Sequence, residues 1–342
     1  MGFSIASIIL VLWPVLADIS AFGLASVSLR PRVRFPALTI LSCCFCLLVS
    51  CGGGPSQEPP SPNARLVEHA MGSTYVPETV ERVVTVDTAA LDASLALGIK
   101  PVGSVVFGDF PSYLGDRGSG IQSVGDGNQP NLEKILQLQP DLILSNRISS
   151  GRLYNRLSRI APTVLSEGSG RSGEWQSHLR LFGEALGRTE TAAELLQDYE
   201  QRVAQLRGKL GDTSDTVVSV VTTGRGRVGF YTVESFPGSV LQDLGFARPP
   251  LQADSRQWAE MVSQENLASL DGDIIFLIRN QVFSDSLGQE ELVSDPIWSQ
   301  LGAVKQGRLY QVEGEAWIQG RNILAAHQIL DDVAQALEGE RE

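Results

Sequence analysis

The chain has 342 residues and a formal net charge of −12, which is long enough for two domains of ordinary size. Its 43% of hydrophobic residues is an ordinary globular share, so a real core can form. Arg30, Arg32, Arg34 and Asp18 are the charged residues of the first fifty, so the body beyond them is strongly acidic and disfavours nucleic acid or an anionic membrane surface as a partner.

At the N-terminus, residues 3–29 form an apolar run with no basic residue ahead of it, which reads either as an extra segment or as a sign that translation starts downstream of Met1. "RPRVRFPALTILSCCFCLLVSC" follows, with three arginines, an apolar stretch and small residues, the layout of an export signal. Residues 35–50 fall short of the ~20 apolar residues that a membrane-spanning helix wants. Leu48-Val49-Ser50-Cys51 resembles a bacterial lipobox, whose cysteine takes a diacylglycerol and becomes the new N-terminus. "GGGPSQEPPSPNA" then suits a flexible tether. The expected organisation is a leader over 1–50, a tether over 51–64 and a folded body from 65. All four cysteines, Cys43, Cys44, Cys46 and Cys51, lie in or at the edge of the leader. The body therefore has no disulfide, thiolate metal site or cysteine nucleophile.

Strand and helix patterns alternate from there. "RVVTVD", "KPVGSVV", "PDLILSN" and "APTVL" read as strands, and "TAALDASLALG" and "NLEKILQLQ" as helices. Alternation of this kind predicts an α/β fold with a mostly parallel sheet. Residues 189–210 differ: no Pro and no Gly before Gly208, with Ala192, Leu195, Leu196, Tyr199, Val203, Leu206 and Leu210 at helical spacing. A helix of that length spans about 33 Å. After it the pattern restarts with "TVVSVVTTG", "PGSVLQDLGF", "QENLASLD", "GDIIFLIRN", "GRLYQVE" and the helix "RNILAAHQILDDVAQALEG". "EKILQLQPDLIL" and "ENLASLDGDIIF" echo each other, with the same Glu-to-Asp spacing at 133 and 141 and at 265 and 273. Two similar lobes, 65–188 and 211–342, bridged by one long helix, are the expectation.

Five blocks in order, "RLVEHAMGSTYVPETVERVVTVD", "PNLEKILQLQPDLIL", "FPGSVLQDLGFARPPLQ", "WAEMVSQENLASLDGDIIFL" and "DPIWSQLGAVKQGRLYQVEGEAW", carry a resemblance. Over about residues 65–340 the chain resembles the bacterial substrate-binding lipoproteins of ABC importers for ferric siderophores, haem and cobalamin. The first and third blocks look closest to the ferric-siderophore and ferric-citrate branch. The resemblance implies a monomeric receptor on the periplasmic face of the envelope, lipid-anchored at Cys51, without cofactor or catalysis. A rigid helical bridge implies a small rocking of the lobes on binding. A haem or cobalamin receptor is the alternative within the family, and an envelope enzyme on the same scaffold the alternative outside it.

Ligands of open α/β sheets lie beyond the carboxyl ends of the strands, so with two lobes facing each other the cleft between them is the expected site, and the loops there hold the candidates. They are Phe107, Phe110 and Tyr113, Arg147 and Arg152, Arg225 and Arg227, and Arg279, with Trp317 and Arg321 ahead of the last helix. Arginine forks suit the outward oxygens of anionic ferric chelates, and aromatic walls suit their organic skeleton. Trp258, Trp175 and Trp298 read as packing residues. Glu133 and Glu265 open equivalent short helices, and the resemblance implies that such a pair docks on arginines of the permease.

Direct metal binding is disfavoured, because His69, His178 and His327 are far apart and no calcium-type acidic cluster occurs. Neither a nucleophile elbow nor a Walker loop is present. Gly224-x-Gly226-x-x-Gly229 fits the bare dinucleotide pattern but leads into "FYTVE", which is no helix.

Overall fold

Apolar runs form the strands, and their burial follows from where each lies in its sheet. A hairpin of β1 (Arg65–His69) and β2 (Gly72–Val76) comes first. The first large sheet contains β3 (Val83–Thr85), β4 (Gly103–Val106), β5 (Gln122–Asp126), β6 (Gln129–Pro130), β7 (Leu142–Asn146) and β8 (Thr163–Ser166), in the order β6-β5-β4-β3-β7-β8. Every pairing is parallel except β5 with β6. Helices and loops cover both faces: Val83, Leu142 and Leu144 join one apolar cluster, Val84 and Ile143 another. The structure is a computed structural model and describes residues 62–224, 227–254, 256–279, 291 and 294–338. The leader, most of the tether and Cys51 lie outside these residues.

The second sheet runs β11 (Ala259–Val262), β10 (Arg227–Tyr231), β9 (Val218–Gly224), β12 (Ile274–Arg279), β13 (Leu309–Glu313). Here β9, β12 and β13 are parallel, while β10 and β11 pair antiparallel. The first glycine of the 224–229 pattern, Gly224, thus ends β9, and the last, Gly229, lies inside a strand, β10. A phosphate cradle would need a helix at that point.

The echo between the halves has a structural reason. Asp141 accepts hydrogen bonds from the amides of Glu81 and Arg82, just ahead of β3. Asp273 accepts from the amide of Val217, just ahead of β9. Each aspartate starts its own strand and anchors the entry of the neighbouring one. The element before Asp141 is a helix, α2 (Leu132–Gln137), with Asn131 as its N-cap. Before Asp273 it is a 3₁₀ helix, Gln264–Leu270.

Residues Thr189–Leu210 form one unbroken helix, with Ala192, Leu196, Tyr199, Val203 and Leu206 buried along one face. Leu195 and Leu210 are half-buried at its margins. This bridge packs on helix Trp175–Ala185 and on the terminal helix Ile323–Glu338. One apolar cluster runs from Val83 and Leu142 of the first sheet through Trp175 and Tyr199 to Val218, Phe276 and Ile329. The two sheets are therefore joined by a shared helical layer.

Polar contacts stitch the same joint. Asp87 caps α1 (Thr88–Ala96), accepting from the Ala89 amide at 2.9 Å. One turn on, buried Asp92 accepts from the amides of Leu324 and Ala325, each at 2.9 Å, and from the Tyr113 hydroxyl at 2.9 Å. Those amides open the terminal helix, where a carboxylate is favoured. Burial nevertheless dominates and pushes the Asp92 pKa up to about 7, against the lowering effect of these hydrogen bonds and of Arg117. A carboxyl raised in the folded state contributes stability that is full below its unfolded value and is lost as pH rises towards 7. Asp92→Asn should remove that slope. Thermal scans from pH 4 to 8 are expected to show the variant gaining on the native chain as pH rises, by a few kcal/mol at most. A constant difference across that range would contradict it.

Candidate functional site

The loops after β3, β4, β5, β7 and β8 enclose a cleft of about 230 Å³. Val86 and Asp87, Phe107, Gly127 and Asn128, Ile148 and Ser149, Ser169 and Arg171 line it in that order, with Arg321 closing it from the C-terminal half. This is the carboxyl-end position that open α/β sheets offer a ligand.

Phe107 is half-buried, and its ring lies against the backbone of Gly127. A Cβ at 127 would fall 2.3 Å from the Phe107 Cζ, so a side chain there would expel the ring from the wall. Ile148 adds a second apolar surface, 63% exposed at the mouth.

Arg171 supplies the charge. Its guanidinium sits 5.1 Å from the centre of the Trp258 ring, within reach of a cation–π contact. Trp258 in turn lies 6.1 Å from Tyr231, so the sequence expectation of a purely packing Trp258 is modified. No carboxylate of the described residues lies within ion-pairing distance of Arg171. Burial lowers its pKa, and nearby Arg321 lowers it further; an arginine still keeps its proton. Asp87 cancels Arg321 at 2.8 Å, and Arg147 cancels Glu167 at 2.8 Å on the rim. The cleft is left with the unpaired Arg171, a local cation in an acidic protein.

The remaining candidates scatter. Arg152 is exposed on the short turn Gly151–Leu153 and does not line the cleft. Arg279 pairs with Glu313 across the ends of β12 and β13, and Arg227 opens β10 at the surface. Arg225 lies outside the described residues. Tyr113 faces a separate cavity of about 310 Å³ with Ser112, Glu313, Glu315 and Asp332, and its hydroxyl is bound to Asp92. Phe110 packs with Leu114 and against Gly118.

Two expectations need correction. Trp317 is fully buried, its Nε1 donating to Asp332 at 2.7 Å and its ring 4.9 Å from Phe276. It is a core residue with no face free for a guest. Arg321 reaches the cleft but is 4% exposed, and its donors are engaged by Asp87, Thr88, Ser169 and Gln319.

Sequence reasoning missed Arg171. The rule that chose Arg147, inspection of the loop after each strand, applies equally to "SEGSGRSGEW" after β8. Glu133 and Glu265 are exposed in the first turns of α2 and of the 3₁₀ helix. The three histidines lie apart: His69 against Thr74, His178 against the Glu167 carbonyl, His327 against Arg202. Among the described residues no three His, Cys, Asp or Glu side chains gather as a metal site, and no helix is long and apolar enough to cross a membrane.

A family model described as periplasmic binding protein matches residues 83–316. The probable siderophore-binding lipoprotein YfiY of Bacillus subtilis is 34% identical over 310 residues, covering 87% of this chain and 94% of that one. The achromobactin-binding periplasmic protein of Dickeya dadantii is 33% identical over 272 residues, covering 77% and 87%. Among solved structures, Staphylococcus aureus SirA complexed with staphyloferrin B superposes with a TM-score of 0.70 at 27% identity, covering 80% of this chain and 98% of that one.

Proposed function

Because the chain belongs to the periplasmic binding protein family, we propose that it is the receptor of an ABC importer and captures an anionic ferric chelate of the siderophore or citrate type. The observation that carries this reading is the unpaired Arg171 guanidinium, stacked on Trp258 at the carboxyl ends of the first sheet. Its fork donates parallel hydrogen bonds to a carboxylate or catecholate oxygen, while Phe107 and Ile148 cover the organic skeleton. Iron inside a chelate already has its ligands, so the cleft needs none of its own. The names of YfiY, of the achromobactin-binding protein and of the SirA complex support the same substrate class.

The receptor reading extends to the whole chain. Lobes 65–188 and 211–342 flank the 189–210 bridge, and the protein acts as a monomer held to the envelope by lipid on Cys51. Glu133 and Glu265, one exposed on each lobe, dock on the permease through rim charge, which steers and registers more than it binds.

A tryptophan fluorescence titration tests the substrate class, with ferric citrate, a ferric hydroxamate, a ferric catecholate, haemin and cobalamin. Saturable quenching by at least one anionic ferric chelate is the expected result. A response to haemin or cobalamin alone would move the assignment to those ligands, and silence with all five would end it.

A further inference from the structure

Four groups converge on the five residues Glu167–Arg171 that follow β8, two from the helical segment just beyond the turn and two from the C-terminal half. Glu174 accepts from the amides of Ser169 and Gly170 at 3.0 and 3.1 Å. His178 meets the Glu167 carbonyl through Nε2. From the C-terminal half, Arg321 donates to the Ser169 carbonyl, and the Phe236 amide donates to the Arg171 carbonyl at 2.9 Å. The turn is folded tightly against Arg321: Gly170 has φ +73°, and a Cβ there would lie 3.3 Å from the Arg321 Cβ and carbonyl oxygen.

Arg321 itself is almost fully engaged. Nε donates to the Gln319 carbonyl, Nη1 to Ser169, and Nη2 to Asp87 and Thr88 at 2.8 and 2.9 Å. Those four bonds account for all but one of the five N–H donors of a guanidinium. Its charge is matched by Asp87, both side chains being about 5% exposed or less. Its backbone is left-handed, φ +52°, ψ +30°. A non-glycine residue is uncommon there and is held only where its surroundings over-determine it. Although it borders the cleft, such a group has little left to offer a guest.

We propose that Arg321 is a positioning residue for ligand capture: it locks the Glu167–Arg171 turn across the joint between the two halves, and Arg171 meets the ligand's charge. The inference rests on reading the cleft as the binding site. It also makes the C-terminal half responsible for the placement of a binding group that belongs to the N-terminal half.

The test uses the full chain carrying Arg321→Gln, Arg171→Gln or both, with two readouts. Amide hydrogen exchange is measured without ligand, and ferric citrate affinity by fluorescence. With Arg321→Gln, exchange at Ser169 and Gly170 should quicken about tenfold or more, and ferric citrate should bind about tenfold more weakly. The double variant should bind no more weakly than Arg171→Gln alone, because both changes remove one interaction. Additive losses would mean that Arg321 contacts the chelate directly and would overturn the proposal; unchanged exchange at the turn would do the same. If the native chain does not bind ferric citrate, the citrate reading fails by itself, and exchange still decides the positioning role. Arg321→Lys guards against a variant that cannot fold. It keeps a charge for Asp87 but loses the planar fork, and the same quickened exchange is expected.

Discussion

Asp87→Ala is expected to destabilise the protein by about 3–5 kcal/mol, because it strands the Arg321 guanidinium in the interior without a counter-charge. Asp87 and Arg321 are 4% and 5% exposed at the side chain, so solvent cannot replace the lost partner. The same carboxylate caps α1 through the Ala89 amide, which adds about 1 kcal/mol to the loss. For a folded unit of this size the result is a fall in Tm of roughly 10 °C. Arg321→Met added to Asp87→Ala should recover part of that loss, since no uncompensated charge remains. Urea unfolding of the single and double variants measures both. A loss under 1 kcal/mol for Asp87→Ala would show that water reaches the pair.

Arg171→Gln should lower stability by about 1 kcal/mol at most, since its side chain has no ion pair to lose and only the cation–π contact with Trp258 goes. Its effect should fall on binding. A charge-assisted hydrogen bond contributes about 1.5–3 kcal/mol, so affinity for an anionic ferric chelate should drop roughly 10- to 100-fold. The residual binding should also depend less on salt, one cation having gone. Calorimetric titration at two ionic strengths reads both quantities. An unchanged Kd in Arg171→Gln would remove Arg171 from the site and leave the cleft without its charge.

Most of the architecture was legible because periodicity is a local property. The 189–210 segment carries its apolar stripe in one dimension, and the structure buries that stripe. The Glu-to-Asp echo marked equivalent turns because each aspartate anchors the strand entry beside it. The 3₁₀ geometry of Gln264–Leu270 was not legible, since so short a run has no period to read. The site was less legible, and the reason is distance along the chain. Arg147 finds Glu167 20 residues away, Arg279 finds Glu313 34 away, and Arg321 finds Asp87 234 away. Nothing around an arginine in sequence tells whether a remote carboxylate will neutralise it. Trp317 illustrates the same limit: its indole nitrogen is satisfied by Asp332, one face of a helix that the sequence shows only as amphipathic.

The apolar layer shared by the two sheets bears on how the molecule comes apart. Trp175, Tyr199, Phe276 and Ile329 belong to one continuous cluster that both halves help to build. Severing the chain within the bridge would bare Leu196, Val203 and their neighbours to water on each fragment, and neither piece would retain a complete interior. Loss of structure on heating is thus expected as a joint event, with one transition for both halves.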